Sequence, residues 1–296
     1  MALLSLIYDS ACAGYEAPFH PESPVRVLAT AGYLQAQRQD ALWTQPVIAS
    51  EVDLLRVHTP AHLRRLHQPR DFDADTPYYE GIEMHARRAA GGALVAVDEA
   101  LRGHAAFSLS RPPGHHATAD RAMGFCYLNS IAIAARYALE HGCARVAIWD
   151  FDAHHGNGTE AVVANDGRIR FASVHQYPGY PGTGTSNLAN VSNWPIPPMS
   201  DPDTHVRAVR DALEGLLAFD PELLLVSAGF DAFAGDPITQ MTLERHHFEQ
   251  FGTWLAGLRI PVAAVLEGGY SRELPVLVAS FLNGWAPPAN KVGCAG

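Results

Sequence analysis

Short apolar runs alternate with longer stretches of helical periodicity along most of this chain. Apolar residues spaced three and four apart predict helices over Glu83–Leu101, Leu128–Glu140, Asp203–Leu217 and Leu243–Leu258. Between them lie continuous apolar runs typical of strands buried on both faces: Leu3–Tyr8, Ala106–Leu109, Arg145–Asp150, Ile169–Val174, Leu223–Ser227 and Pro261–Leu266. The alternation predicts an α/β fold, a single domain with a mainly parallel central sheet and helices on both faces.

The remaining segments are expected to be irregular. Residues 68–80 and 179–203 have few periodic apolar positions, and long ordered loops of this kind are often functional. Residues 287–296 are rich in Pro, Gly and Ala, which predicts a flexible tail. The folded catalytic domain is therefore expected to span residues 1–286.

Composition narrows the classes of function. The 296 residues carry a formal net charge of -10, and Lys291 is the one lysine, so a nucleic-acid-binding surface is not expected. No apolar stretch is long enough for a membrane span. The four cysteines are scattered, which argues against a disulfide framework and favours a cytoplasmic protein.

The sequence contains 15 histidines, and several of them follow predicted strands. Ligands of open parallel sheets bind beyond the carboxyl ends of the strands. Taken alone, each polar group there also fits a solvated loop, a turn, a cap or a packing residue. Five strand ends deliver such groups to one edge, which favours a site: Arg111-Pro-Pro-Gly-His115-His116, Asp150-Phe-Asp152-Ala-His154, His175, Ala-Gly-Phe-Asp231 and Glu267-Gly-Gly-Tyr270.

Three of these residues form a candidate metal site. Asp152, His154 and Asp231 offer two carboxylates and one imidazole, and three protein ligands leave room for water and substrate as in catalytic sites. Zinc (Zn²⁺, one per chain) suits this set, although Fe(II) or Co(II) would also fit an oxygen and nitrogen environment. The pattern predicts attack on a carbonyl by metal-bound water.

The neighbouring groups suit proton transfer. His115 and His116 can act as general base and general acid, and Asp150 can fix the tautomer of one imidazole. The Tyr270 hydroxyl can donate to the developing oxyanion. The sequence offers no serine or cysteine nucleophile with a matching base, which again favours water as the nucleophile.

The motifs as a set resemble the zinc-dependent histone deacetylase superfamily, which includes acetylpolyamine amidohydrolases and acetoin-utilisation proteins. The resemblance covers residues 8–270, nearly the whole chain. Its motifs are His20-Pro-Glu-Ser-Pro-Val-Arg26, Arg111-Pro-Pro-Gly-His-His116, Gly124-Phe-Cys-Tyr-Leu-Asn129, Asp150-Phe-Asp-Ala-His-His-Gly-Asn157, Pro181-Gly-Thr-Gly184, Ser227-Ala-Gly-Phe-Asp231, Gly235-Asp-Pro237 and Glu267-Gly-Gly-Tyr270.

The resemblance implies a deacetylase-like three-layer sandwich and a role for each matched residue. The zinc ligands would be Asp152, His154 and Asp231, with His115 and His116 as the catalytic dyad and Tyr270 polarising the carbonyl. Substrate would bind in a narrow acyl-lysine-type channel at Gly124, with Phe125 and Tyr180 as aromatic walls and Asp75 at the rim. A structural potassium ion (K⁺) would bind through Asp150, Asp152, His154, Ser173 and Val174. Arg26 matches an arginine of an internal cavity behind the metal.

Three details refine the resemblance. Asn157 and the Leu266-Glu-Gly-Gly-Tyr270 run resemble class II enzymes, and a tyrosine at 270 favours a competent amide hydrolase. A neutral Asn157 would stabilise a protonated His116 less than a carboxylate would, which suits a proton donor. Ile238 is apolar where polyamine-specific members often carry an acidic gate, which argues mildly against a polyamine substrate.

The expected substrate is an acylated lysine or another small acylated amine, with acetylpolyamines as the alternative. Two rival functions are an arginase-like ureohydrolase and a non-catalytic acyl-binding protein. A binuclear ureohydrolase site needs further aspartates, but Gly156 and Gly229 occupy the corresponding positions. A binding module would have lost a ligand or catalytic group, and all are present. The substrate itself, the acyl length and the oligomeric state stay open.

Overall fold

A computed structural model describes residues 3–288, and its centre is an eight-stranded parallel sheet. The predicted α/β architecture is confirmed, with helices packed on both sheet faces. The predicted tail at 287–296 lies mostly outside the described residues. The six predicted strands are present with small shifts at their ends: β1 Leu4–Ile7, β3 Ala105–Ser108, β4 Val146–Asp150, β5 Ile169–Gln176, β7 Leu223–Ala228 and β8 Val262–Leu266.

Two further strands, β2 (Leu42–Thr44) and β6 (Val191–Ile196), form the two edges of the sheet. The interpretation of 179–203 as one loop was therefore wrong for its second half. Both strands escaped detection because edge strands are not buried on both faces and lack a continuous apolar run. Pro195 within β6 is compatible with an edge position, where one side of the strand needs no backbone donor.

The four predicted helices are confirmed as α4 (Ile82–Leu101), α5 (Ser130–Glu140), α7 (Pro202–Leu217) and α8 (Arg245–Ala256). Gly103 and Gly142 follow α4 and α5 and have positive φ, a conformation in which glycine commonly ends a helix. The structure adds further helices: α1 Pro24–Gln37, α2 Glu51–Leu55, α3 Pro60–Arg65, α6 Asn157–Val163 and α9 Leu274–Trp285. Between residues 3 and 288, no helix is long and apolar enough to cross a membrane.

Side chains of the central strands alternate between two hydrophobic cores, one on each face of the sheet. Phe107 and Trp149 pack into one core, whereas Ala106 and Ile148 pack into the other. This two-sided burial explains why these strands read as continuous apolar runs. The apolar helix α9 packs against α8 and α1 and covers one face.

The strand order is β2-β1-β3-β8-β7-β4-β5-β6, which places β3, β8, β7 and β4 side by side at the centre. Their register aligns Ser108 with Val265, Val265 with Ser227, and Ser227 with Asp150. The four strands therefore end at the same level. The loops that follow them meet above the middle of the sheet and bring together residues far apart in sequence.

Candidate active site

The three predicted metal ligands lie together above β4 and β7. Ligand atoms of Asp152, His154 and Asp231 all lie within 4.8 Å of one another. Nδ1 of His154 is 2.9 Å from Oδ2 of Asp231 and 3.1 Å from Oδ1 of Asp152. Both carboxylates are fully buried, so a cation among the three residues would compensate charge that water cannot reach.

Backbone groups hold the ligand carboxylates in place. The N–H of Gly268 donates to Oδ2 of Asp152 (2.7 Å), and the N–H of Ala153 donates to Oδ1 of Asp231 (2.8 Å). A Cβ at Gly229 would lie 2.1 Å from Oδ2 of Asp152, so no side chain fits there. A further aspartate at this position, as expected for a binuclear site, would collide with the existing ligand.

The two adjacent histidines lie beside the ligands, and each has its own partner. Nδ1 of His115 is 3.0 Å from Oδ2 of Asp150, and Nδ1 of His116 is 2.7 Å from Oδ1 of Asn157. The two rings have centroids 4.1 Å apart. Because Asp150 and Asn157 accept from Nδ1, the Nε2 atom of each ring is the nitrogen that points away from these partners.

The surroundings drive the two histidines toward different protonation states. Burial opposes charge on both rings, but the carboxylates of Asp152 and Asp150 hold the pKa of His115 well above its ordinary value. Burial and the positive charges of His115 and His154 hold the pKa of His116 well below its ordinary value. His116 is therefore the neutral member of the pair at neutral pH, with a free lone pair on Nε2.

A buried carboxylate behind the dyad fixes its backbone. Glu267 accepts hydrogen bonds from the N–H groups of Gly114 (2.7 Å) and His115 (3.2 Å). Burial raises the pKa of Glu267 to about 7. The sequence placed Glu267 at the site edge without a role, and the structure assigns it to positioning the Gly114–His115 backbone.

Tyr270 lies next to the ligands at the end of β8. The centroid of its ring lies 5.7 Å from that of Phe125, and the Arg26 guanidinium lies over the ring, 4.5 Å from the centroid. Arg26 in turn donates to the carbonyl of Gly269 (2.7 Å). Burial raises the pKa of Tyr270 well above its ordinary value, so the hydroxyl keeps its proton as a hydrogen-bond donor.

His116, His154 and Tyr270 line a cavity of about 330 Å³ that opens to the surface. The same cavity is lined by Phe125, Tyr180, Ile238 and the exposed Asp75. Gly124 and Phe125 both have positive φ, and a Cβ at Gly124 would lie 2.5 Å from the His116 ring. The sharp turn thus brings Phe125 to the cavity beside the dyad, and the predicted substrate-binding residues are brought together.

The structure also places the residues matched to a potassium site. Ser173 of β5 aligns with Asp150 of β4, and Val174 follows it in the same strand. The Ser173 hydroxyl lies 2.9 Å from Nδ1 of His175. His175 itself contacts the Gly184 carbonyl (3.0 Å) rather than the cavity, so it belongs to the support of the 181–184 loop.

Several histidines outside the candidate site are buried. His58 accepts from the N–H of Asn129 through Nε2 (2.9 Å), and His62 lies 2.8 Å from the Tyr127 carbonyl. His205 is fully buried in α7. Sequence reasoning missed two residues of the site surroundings, His20 at the mouth and Asp236 next to Tyr270, although both lie in quoted motifs.

Comparison with known proteins agrees with this geometry. Residues 20–284 match the histone deacetylase domain family. A probable deacetylase of Archaeoglobus fulgidus is 35% identical over 87% of this chain and 78% of its own. Acetylpolyamine amidohydrolase 2 of Pseudomonas aeruginosa is 33% identical over 88% of this chain and 82% of its own. The structure of an acetylpolyamine aminohydrolase from Burkholderia pseudomallei superposes with a TM-score of 0.84 at 27% identity, covering 97% of this chain and 100% of that one. The chain therefore belongs to the histone deacetylase domain family.

Proposed function

We propose that this protein is a zinc-dependent amidohydrolase that removes an acetyl or similar acyl group from an acylated amine. Its family and the names of its relatives support an amide deacetylase. The observation that carries the mechanism is that one member of the candidate ligand triad (His154), one histidine of the dyad (His116) and Tyr270 line the same cavity. No rival function explains all three groups.

The donor set fits the metal. Asp152, His154 and Asp231 would hold a single Zn²⁺, because two carboxylates balance its charge and the lack of space at Gly229 excludes a bridging aspartate. When bound, zinc polarises a carbonyl and makes its water a stronger nucleophile. The fit to one ion argues against an arginase-like ureohydrolase.

The chain's own residues would manage the protons. In place of His115, the base suggested by the sequence, we assign the role of base to His116. Neutral His116 accepts a proton from the attacking water at Nε2, while its Nδ1–H stays bonded to Asn157. The same nitrogen then delivers that proton to the leaving amine. His115, held by Asp150, contributes positive charge beside the developing oxyanion. Tyr270 donates its hydroxyl proton in a hydrogen bond to the substrate carbonyl oxygen.

The cavity suggests the substrate class. Phe125 and Tyr180 present aromatic faces that suit the methylene stem of an acylated lysine or another extended amine. Ile238 adds an apolar side chain where an acidic group would favour a polycation. Acyl-lysine is therefore our first candidate, and acetylpolyamines are the second because of the relatives that bear this name.

A potassium ion is the second cation we propose. Asp150, Asp152, Asp231 and Glu267 are all fully buried. With the four carboxylates ionised, His115 protonated and His154 neutral as a zinc ligand, three negative charges remain. One divalent ion and one monovalent ion would compensate them. The monovalent ion would bind through Asp150, Asp152, His154, Ser173 and Val174.

The test is a substrate panel assayed with zinc-loaded enzyme: acyl-lysine peptides of increasing acyl length, acetylated polyamines, small amides and arginine. Preference for one acylated amine would identify the substrate, and release of urea from arginine would contradict the proposal. Metal analysis of the same preparation should give one zinc per chain, and two bridged ions would refute the single-ion site. A hydroxamate should inhibit by chelation, and full activity in its presence would count against an open zinc site.

A further inference from the structure

Tyr270 follows Gly268 and Gly269, residue types that restrict the backbone less than others do. Gly269 has a φ of 116°, a conformation that other residues rarely adopt. A Cβ at Gly268 would lie 2.2 Å from Oδ2 of Asp231, so glycine is required at that position. Two consecutive glycines leave the following residue free to move unless other contacts restrain it.

One such restraint comes from a loop on the neighbouring strand. Oδ2 of Asp236 accepts a hydrogen bond from the N–H of Tyr270 (2.7 Å), and Oδ1 accepts one from the N–H of Ile238 (3.1 Å). Asp236 is 7% exposed, so water does not compete strongly for either bond. Thr239 joins the same loop to the Asp231 carbonyl. The loop is thus anchored to a candidate metal ligand at one point and to Tyr270 at another.

We propose that Asp236 is a positioning residue that fixes the Tyr270 backbone, so that the hydroxyl points at the substrate carbonyl, and that it also fixes the cavity residue Ile238. Asp236 does not line the cavity and touches no reacting atom. Its effect on turnover therefore passes through Tyr270. The proposal rests on the function proposed above, because the benefit of a fixed Tyr270 is stabilisation of an oxyanion.

The carboxylate is needed because it accepts two hydrogen bonds. In Asp236→Asn, the side chain keeps its size but offers one oxygen and one NH₂ group. One of the two backbone N–H groups then faces a donor and loses its partner. Asp236→Ala removes both acceptors, and Asp211→Asn, at an exposed position on α7, is the matched control for the change from acid to amide.

The test is a double-mutant cycle with Tyr270→Phe, measured as kcat and KM on the best acylated substrate with zinc-loaded enzyme. Asp236→Asn should lower kcat at least tenfold with a smaller effect on KM. The same change should lower kcat less than twofold when residue 270 is already phenylalanine. If Asp236→Asn lowers kcat by the same factor with tyrosine and with phenylalanine at position 270, the proposal is overturned. That result would show that Asp236 acts independently of the Tyr270 hydroxyl.

A second measurement does not depend on catalysis. With 3-fluorotyrosine placed at position 270, the ¹⁹F resonance should be a single narrow line in the parent and should broaden or split in Asp236→Asn. An unchanged resonance would overturn the proposal. Loss of zinc or of the folded state in both Asp236 variants, with Asp211→Asn intact, would also overturn it and assign Asp236 to the fold. If Tyr270→Phe alone retains full activity, the function assigned to Tyr270 fails, whereas the ¹⁹F result still decides whether Asp236 positions it.

Discussion

Oδ1 of Asn157 lies 2.7 Å from Nδ1 of His116, so the second histidine of the dyad is oriented by a neutral amide. Its neighbour His115 is instead oriented by the carboxylate of Asp150. The two rings are in contact, yet one has a charged partner and the other does not. This difference separates their affinities for a proton and leaves His116 free to accept one.

Changing the amide to a carboxylate should therefore alter the pH dependence. Asn157→Asp should raise the pKa of His116, because a nearby negative charge stabilises the imidazolium. The rising limb of kcat/KM against pH should move to higher pH, and activity below neutrality should fall. Asn187→Asp, at an exposed loop position, is the control. An unchanged limb would exclude His116 as the base.

Removal of either carboxylate ligand should abolish metal binding. Asp152→Ala and Asp231→Ala each leave two ligands, which is too few for a stable zinc site. We expect zinc content, measured by atomic emission on purified protein, to fall below about a tenth of the parent value, with loss of activity. The control Asp211→Ala should keep its zinc and its activity. A fully loaded ligand variant would mean that the ion binds elsewhere.

Loss of the Tyr270 hydroxyl should separate metal binding from turnover. Tyr270→Phe should retain zinc, because the hydroxyl is not among the predicted ligands. It should lose about 3 kcal/mol of transition-state stabilisation, or roughly 100-fold in kcat. Steady-state kinetics at saturating zinc would measure this, and near-normal hydrolysis would refute the role assigned to Tyr270.

The side chain at position 238 should tune substrate choice. Ile238 lines the cavity and is 38% exposed, so a charged group is tolerated there without burial. Ile238→Glu should raise kcat/KM for acetylated polyamines relative to an acyl-lysine peptide of equal length, by attraction to the distal ammonium groups. Ile238→Gln controls for size. If glutamate and glutamine give the same ratio, charge at this position does not select the substrate.

Stability should fall in mild acid because of a buried histidine remote from the site. His205 is fully buried, and among residues 3–288 neither of its ring nitrogens has a hydrogen-bond partner. Burial and His247 lower its pKa to about 4. Between pH ~6.5 and 4, His205 is therefore protonated in the unfolded chain but neutral in the folded chain. The free energy of unfolding falls over this range as the pH is lowered.

This difference in the pKa of His205 lowers the stability at pH 5.5, relative to pH 8, by an amount on the order of 1 kcal/mol. His205→Leu should remove this share of the acid sensitivity in urea unfolding curves without loss of stability at pH 8. His67→Leu, at an exposed position, should leave the pH dependence unchanged. If the free energy of unfolding depends on pH in the same way in His205→Leu and the parent, His205 is not the source of the acid sensitivity.

The central strands of the fold could be predicted from sequence, because strands buried on both faces produce continuous apolar runs. The candidate metal ligands could be predicted as well. Asp152, His154 and Asp231 could be placed together because the carboxyl ends of parallel strands share one edge. The edge strand Val191–Ile196 lacks such a run. Helix Leu274–Trp285 was missed since nearly all of its residues are apolar, and an apolar run does not distinguish a helix from a buried strand.

Side-chain hydrogen bonds to backbone atoms could not be predicted from the sequence. Asp236 bonds to an amide 34 residues away, and any residue with an N–H could fill that place. His175 lies at a strand end like the other candidates, yet its ring turns toward the 181–184 loop. Sequence order indicates where a strand ends, whereas the direction of a side chain depends on packing that neighbouring residues determine.

The position of β8 has a consequence for the order in which the molecule can assemble. This strand is the last of the eight in the chain, yet it lies between β3 and β7 in the middle of the sheet. A growing chain that ends before residue 262 has a gap where its central strand belongs, and β3 and β7 have no partner on that side. Tyr270 and Glu267 arrive with the same segment. Closure of the sheet and completion of the site are thus one event, and catalytic competence cannot precede the native fold.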